Sequence, residues 1–245
     1  MGMIIANVFP KSGTGLIRQI LEPFGKEHGH LKMFWGPTGE RVPTAKTKML
    51  MSHMRHEDGV MTAHLHWDAQ FAELFRNNKM LFLIRDPRDV IVSHAHYVKN
   101  EPIHHLHKYY KNEPIQKCYM QSMYGLPNAV DGHGTTDPFP DIANRFLPYL
   151  GWAYMDNVLV IRYENLVENI GRQCRRIASF IYPKPPPSAD VFNELINEMV
   201  RSSTPETSNT FRSGRVGDWE TAFDQVNKDQ FDRDFSWLLE LMGKL

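Results

Sequence analysis

Met3-Ile-Ile-Ala-Asn-Val-Phe9, running on into Pro10-Lys-Ser-Gly-Thr-Gly15, is the stretch whose reading decides the fold. The first segment is a short apolar run, the pattern of a strand buried on both faces, and the second gathers the small and breaking residues of a compact loop. Beyond it Leu16, Ile17, Ile20, Leu21 and Phe24 recur at helical spacing. Strand, small-residue loop and helix follow in direct succession, an order in which free backbone N–H groups at a helix start favour a phosphate. Lys11 adds a positive charge, Ser12 and Thr14 add hydroxyls, and Gly13 and Gly15 let a ligand approach the backbone. The ATPase pattern G-x-x-x-x-G-K-[ST] is absent, because Lys11 precedes Gly13 instead of following it. An ordinary strand-to-helix turn is the other reading of the same residues.

Outward from this stretch, Val60-Met-Thr-Ala-His64 reads as a short strand and Ala69 to Phe75 as a helix. Met80-Leu-Phe-Leu-Ile84 reads as a buried strand ending at Arg85, with helix resuming at about Asp89. Val158-Leu-Val-Ile161 is a further buried strand, followed by a helical stretch from Leu166 to Ile181 and turn-forming Pro183 to Pro187. An amphipathic helix is predicted near Val191 to Val200, a polar loop from Ser202 to Gly217, and a last helix over 228–242. Residues 25–60 lack a sustained period and read as a loop-rich insertion with short helices. The stretch 97–140 is rich in Tyr, His, Pro and Gly, and its repeat of Lys-Asn-Glu-Pro-Ile at 99–103 and 111–115 is too short for a solenoid. Strands separated by helices predict an α/β fold: one domain over residues 1–245, with a central parallel sheet flanked by helices. Ligands bind beyond the carboxyl ends of such strands, where the loop above and the segments below fall.

Composition narrows the partners. A chain of 245 residues, 42% hydrophobic, can bury a substantial core. Lys plus Arg equals Asp plus Glu at 28 each, so no global basic field argues for nucleic acid or an anionic membrane surface. The two cysteines, Cys118 and Cys174, form neither a disulfide framework nor a metal-ligand spacing, which suits a reducing compartment. No apolar run approaches a membrane span, and Met3 to Phe9 lacks the flanks of a signal peptide, so a cytoplasmic location is expected. Met1-Gly2 lacks the Ser or Thr at position 6 that myristoylation wants, since Ala6 stands there.

Four segments carry a resemblance. Pro10-Lys-Ser-Gly-Thr-Gly15 resembles the Pro-Lys-Ser-Gly-Thr-Thr-Trp loop of the cytosolic-type sulfotransferases, whose lysine and backbone amides hold the 5′-phosphosulfate of the donor 3′-phosphoadenosine 5′-phosphosulfate (PAPS). Arg85-Asp-Pro-Arg-Asp-Val-Ile-Val-Ser93 is similar to the family's strand-end arginine with a serine eight residues later, which hold the donor's 3′-phosphate. Phe211-Arg-Ser-Gly-Arg-Val-Gly-Asp-Trp219 resembles Phe-Arg-Lys-Gly-x-x-Gly-Asp-Trp, with Ser213 in place of the lysine. Arg162-Tyr-Glu-Asn-Leu166 looks like the Tyr-Glu-Asp-Leu/Met segment whose tyrosine lies near the adenine. The resemblance implies a domain similar to nucleotide kinases, with Lys11, Ser12, Gly13, Thr14, Gly15, Leu16, Arg85, Ser93, Tyr163, Phe211, Arg212, Ser213 and Gly214 as donor-binding residues. Arginine's planar fork also suits a 3′-phosphate on its own chemistry, although Arg85 has a structural alternative as an ion-pair partner of Asp86 or Asp89.

The chain departs from the family at Leu16, where the loop tryptophan stood, so adenine packing falls more on Tyr163. Gly15 replaces a threonine and removes a hydroxyl, and Ser213 removes a charge that Arg215 is one candidate to restore. The family's dimer motif, beginning with Lys and passing through Thr-Val to Glu, is unmatched, because the corresponding positions read Glu220, Asp224, Gln225 and Asp229. That dimer is not predicted, and the oligomeric state is open.

Sulfuryl transfer needs a base for the acceptor's proton and positive charge on the oxygen of the departing phosphate. The family's base is the histidine of Lys-Thr-His-Leu, which Thr62-Ala-His64-Leu65 resembles; His64 is thus implied as the base and Lys11 as the stabiliser of the leaving group. His66 competes, since it points the same way if the strand continues. His94, His96, His104, His105 and His107 cluster, but no Cys joins them and no H-E-x-x-H pattern occurs, so no metal site is predicted. Tyr97, Tyr109, Tyr110, Tyr119, Tyr124, Trp152, Met49, Met51 and Met54 are candidates either for an acceptor pocket or for core packing. The expected activity is metal-free, PAPS-dependent sulfation of a small-molecule or carrier-bound acceptor through a hydroxyl or amine. The rivals are a magnesium-dependent kinase of related fold and a non-catalytic nucleotide-binding module.

Overall fold

Five strands pair in parallel in the order β2-β3-β1-β4-β5: β1 Ile4–Val8, β2 Lys32–Thr38, β3 Gly59–His64, β4 Lys79–Ile84 and β5 Val158–Arg162. The computed structural model describes residues 3–24, 59–130, 135–182, 188–204, 207 and 213–245, together with the backbone of 32–38. Every residue of β1 is buried, as its continuous apolar run requires of the central strand of a sheet covered on both faces. Its register sets Ile4 beside both Val60 and Lys79, so β1, β3 and β4 end at the same edge. The chain passes from β3 across β1 to β4, which makes the carboxyl end of β1 the topological switch point where such sheets bind ligands.

The predicted strands are found within a residue or two of their sequence bounds, and β2 is an addition. Its segment Lys-Met-Phe-Trp-Gly-Pro-Thr carries Gly36 and Pro37, which obscure a strand in the sequence. Both are tolerated here because β2 is an edge strand, and its register with β3 shifts between Trp35 and Thr38. Of the segment read as a loop-rich insertion, residues 25–31 and 39–58 lie outside the described residues, and Gly59 and Val60 open β3.

Two units compose the chain. The first, residues 1–84 and 149–214, contains the sheet. On one face Ile4, Ala6, Val8, Leu81 and Leu83 pack with α1 (Thr14–Leu21), α7 (Tyr163–Glu168), α8 (Ile170–Ile181) and α9 (Ala189–Ser202). On the other, Phe82 and Phe9 meet Tyr149, and Trp152 meets Phe75 of α2 (Ala69–Phe75). The helical stretch predicted from Leu166 to Ile181 is broken at Asn169, whose side chain accepts from the Arg172 amide and caps α8.

The second unit, residues 85–148 and 215–245, is helical: α3 (Pro87–Asn100), α4 (His107–Tyr110), α5 (Ile115–Tyr124), α6 (Ile142–Phe146), α10 (Trp219–Ala222) and α11 (Gln225–Gly243). The turn-rich composition of 97–140 concealed α4 and α5, because Pro114 sits just before the first residue of α5 and Gly125, at φ 80°, just after its last. Among the described residues no helix is long and apolar enough to cross a membrane. Cys118 and Cys174 are buried free thiols, and burial pushes Cys174 up to about 12.

Candidate active site

At the end of β1 the chain turns through Lys11, at φ 70°, and Gly13, at φ 102°, into α1. A left-handed lysine is strained by about 1–3 kcal/mol, the kind of conformation that persists where surrounding structure fixes it. Gly13 is required twice over: its φ suits glycine, and a Cβ there would lie 2.7 Å from Cδ2 of Tyr163. The ring of Tyr163, first residue of α7, therefore lies directly against the loop, and its hydroxyl donates to the Gly214 carbonyl at 3.2 Å.

The amino terminus of α1 has no side-chain cap and no acidic residue in its first turn. The Ser12 hydroxyl is buried and has no hydrogen-bond partner among the described residues. Orphaned backbone donors beside an orphaned buried hydroxyl are what a phosphate or sulfate would satisfy. The Leu16 side chain is in the hydrophobic core, so this position offers a ligand only its backbone. Thr14 and Gly15 begin α1 and are partly exposed.

His64 is the last residue of β3, and its Nδ1 lies 2.6 Å from the Val8 carbonyl oxygen. A carbonyl oxygen only accepts, so Nδ1 carries the proton and Nε2 carries the lone pair. Burial lowers the pKa of the imidazole, the Val8 hydrogen bond opposes this, and the Lys11 charge lowers it further. The outcome is a neutral imidazole with a basic Nε2. The backbone just beyond is clamped by Asn7, fully buried within apolar β1: its side-chain amide donates to the Leu65 carbonyl at 3.1 Å and its oxygen accepts the Leu65 amide at 2.8 Å. Trp152 Nε1 donates to the same carbonyl at 2.9 Å. Sequence reasoning missed Asn7, although a polar residue inside an otherwise apolar strand is the signal for such a clamp. The strand ends at His64, so the condition that would align His66 with it is not met; the His66 ring instead stands edge-on to Tyr149, centroids 4.9 Å apart.

In the second unit Arg85 and Ser93 bracket the first two turns of α3. Arg85 is buried and pairs with Asp89, Nη2 to Oδ2 at 3.3 Å, while Asp86 takes Arg88 through contacts of 3.0 and 2.6 Å. Asp89, one of the two ion-pair partners read from the sequence for Arg85, is thus paired with it. Arg85 Nη2 also donates to the Arg215 carbonyl at 2.8 Å. Ser93 is partly exposed on α3, and Ser213 is half-buried in the first unit beside Gly214. Phe211 and Arg212 lie outside the described residues.

The histidine cluster is dispersed among local partners. His94 Nδ1 is 2.9 Å from the Ser122 hydroxyl, and its ring stacks on Phe139. His96 meets the Tyr119 hydroxyl at 3.0 Å, and the His107 Nδ1–H donates to the Val98 carbonyl at 2.9 Å. The His104 ring stacks on His105, and its Nδ1 accepts the Leu106 amide. Among the described residues no group of three His, Cys, Asp or Glu is placed to hold a metal ion. Tyr110, Tyr119 and Trp152 are buried in packing roles, and burial pushes Tyr110 up to about 12. Met49, Met51 and Met54 lie outside the described residues.

Comparison with known proteins decides the family, for a family model described as the sulfotransferase domain matches residues 3–245. The chain belongs to the sulfotransferase domain family. Within that family, sulfotransferase 6B1 of Homo sapiens is 24% identical over 184 residues, which cover 72% of this chain and 56% of that protein. The chain thus matches little more than half the length of that relative. Cytosolic sulfotransferase 1 of Danio rerio is 25% identical over 256 residues, covering 94% of this chain and 80% of that protein. Among solved structures, mouse sulfotransferase SULT7A1 complexed with PAP gives a TM-score of 0.63 at 17% identity, covering 94% of this chain and 82% of that one. Retinol dehydratase in complex with androsterone and the inactive cofactor PAP gives 0.60 at 16% identity, covering 94% and 78%. These structural likenesses establish the sulfotransferase fold, with its central parallel sheet flanked by helices.

Proposed function

We propose that this sulfotransferase-family chain moves a sulfuryl group from PAPS to a hydroxyl or amine of a small-molecule or carrier-bound acceptor, with His64 as general base and without a metal. The observation that carries the reading is the His64–Val8 hydrogen bond of 2.6 Å, which leaves Nε2 unprotonated at the carboxyl edge of β3. The family assignment and the PAP named with two structural relatives support the donor. A steroid named with one of those relatives, androsterone, supports a small apolar acceptor bearing a hydroxyl.

Each residue assigned to the donor suits one of its parts by its own chemistry. In this reading Lys11, the Ser12 hydroxyl and the amides of Gly13, Thr14, Gly15 and Leu16 are assigned to the 5′-phosphosulfate, Arg85, Ser93 and Arg212 to the 3′-phosphate, and Tyr163 to the adenine, with Phe211, Ser213 and Gly214 as further donor-binding residues. The donor, once bound, supplies an activated sulfuryl group whose bond to a phosphate oxygen breaks as the acceptor's heteroatom bonds to sulfur. His64 Nε2 takes the proton that the acceptor loses. The Lys11 ammonium and the amides opening α1 stabilise the negative charge gathering on the phosphate oxygen, a task that magnesium performs in kinases.

Incubating the protein with sulfur-labelled PAPS and a panel of hydroxylated and amine acceptors, in the presence of a chelator, tests this. Transfer of label is expected. Magnesium-dependent transfer from ATP instead would assign the chain to phosphoryl transfer, and tight PAP binding without transfer to any acceptor would make it a binding module.

A further inference from the structure

Within the second unit the Arg85–Ser93 segment and the Arg215–Trp219 segment hold each other. Asp89, fully buried, sits one helical turn from Arg85. Its Oδ2 pairs with Arg85 Nη2 at 3.3 Å and accepts the Gly217 amide at 3.0 Å, while its Oδ1 accepts the Trp219 amide at 3.0 Å. The same Arg85 nitrogen donates to the Arg215 carbonyl at 2.8 Å. Beside this, Arg88 is oriented by Asp86, and its guanidinium carbon lies 3.8 Å from the centre of the Trp219 ring. One buried carboxylate thus sets both an arginine and the backbone of a distant loop.

We propose that Asp89 is a positioning residue for recognition of the donor's 3′-phosphate, acting through Arg85 and the Arg215–Trp219 loop without touching the ligand. The inference rests on the assignment of Arg85 to that phosphate. Two effects of Asp89 oppose each other. Its charge repels a phosphate nearby, yet its removal would take the acceptor from the part-buried Gly217 and Trp219 amides and the carboxylate partner from the Arg85 fork. The second effect dominates, because orphaning two backbone donors loosens the loop that also carries the Arg215 carbonyl, whereas the charge of Asp89 is already engaged by its three partners.

Calorimetric titration of wild type and Asp89→Asn with 3′-phosphoadenosine 5′-phosphate (PAP) and with adenosine 5′-phosphate (AMP) separates the possibilities. The substitution keeps size and one acceptor oxygen. The PAP dissociation constant is expected to rise about tenfold or more, with that for AMP within about twofold of wild type. A wild type that binds the two nucleotides equally would defeat the Arg85 assignment and the inference with it. A wild type that prefers PAP, beside a variant that keeps the preference or weakens both nucleotides equally, would overturn the role of Asp89 alone. Should Asp89→Asn fail to fold, amide exchange on the wild type decides: PAP should slow Gly217 and Trp219 at least about tenfold more than AMP does, and equal protection would overturn the proposal.

Discussion

A single hydrogen bond determines what His64 can do. Because Val8 offers only a carbonyl oxygen, 2.6 Å from Nδ1, the neutral tautomer with its lone pair on Nε2 is the one the fold selects. Burial, assisted by the Lys11 charge, depresses the pKa, so the basic form persists below the ordinary histidine value of about 6.5. The sign for stability follows: between the folded and unfolded pKa values the unfolded chain binds more protons, so this contribution is complete above about pH 6.5 and declines as pH falls towards the folded value. For catalysis, the acid limb of kcat/KM should have its midpoint below about 6.5, and a midpoint at or above that would mean another group titrates. His64→Ala should lower turnover by roughly 10²- to 10⁴-fold while PAP affinity persists, and His66→Ala should do much less. Wild-type turnover in His64→Ala, with loss in His66→Ala, would move the base two residues along.

At the scale of elements, the ends of β1 and β3 are joined beyond their ladder by Asn7, whose amide satisfies both backbone groups of Leu65. This fixes the chain immediately after His64 and explains a fully buried asparagine in a strand that is otherwise apolar. Asn7→Ala would orphan the buried Leu65 amide and create a small cavity, a loss of about 2–3 kcal/mol on unfolding by urea. An unchanged midpoint would show that the Leu65 amide finds another acceptor, since Trp152 Nε1 serves only the Leu65 carbonyl. The elements differ in how legible they were. β1, β4 and β5 announce themselves as apolar runs, and the loop before α1 by its glycines and lysine. β2 did not, because Gly36 and Pro37 mask an edge strand whose pairing is decided by its neighbour β3. The break at Asn169 was hidden for a similar reason: a side-chain cap depends on local backbone geometry, while hydrophobic period runs through it.

Over the whole molecule, the family model runs from residue 3 to 245 and therefore through both units, and we propose that together they make one sulfotransferase domain. The residues most legible for function were those to which we propose a ligand-facing role, such as Lys11, His64 and Arg85; the Asn7 clamp, and the reach of Asp89 beyond Arg85 to the Gly217 and Trp219 amides, emerged only with long-range contacts. The same distinction bears on assembly. Where the family carries its dimer motif, this chain has Glu220, Asp224, Gln225 and Asp229, and they are engaged within the second unit. Asp224 caps α11 by accepting the Asn227 amide, Gln225 donates to Asp229 at 2.7 Å, and the Glu220 carbonyl accepts the Lys228 ammonium at 2.7 Å. Carboxylates in place of a lysine would also set like charges against each other across a two-fold axis, because a symmetric contact presents the same patch twice. This segment should therefore not serve as a dimer seam, which sedimentation at micromolar concentration checks. A dimer that dissociates when Glu220 and Asp224 are replaced by lysine would overturn this. A dimer indifferent to those replacements would place the contact on another surface and leave the argument about this segment intact.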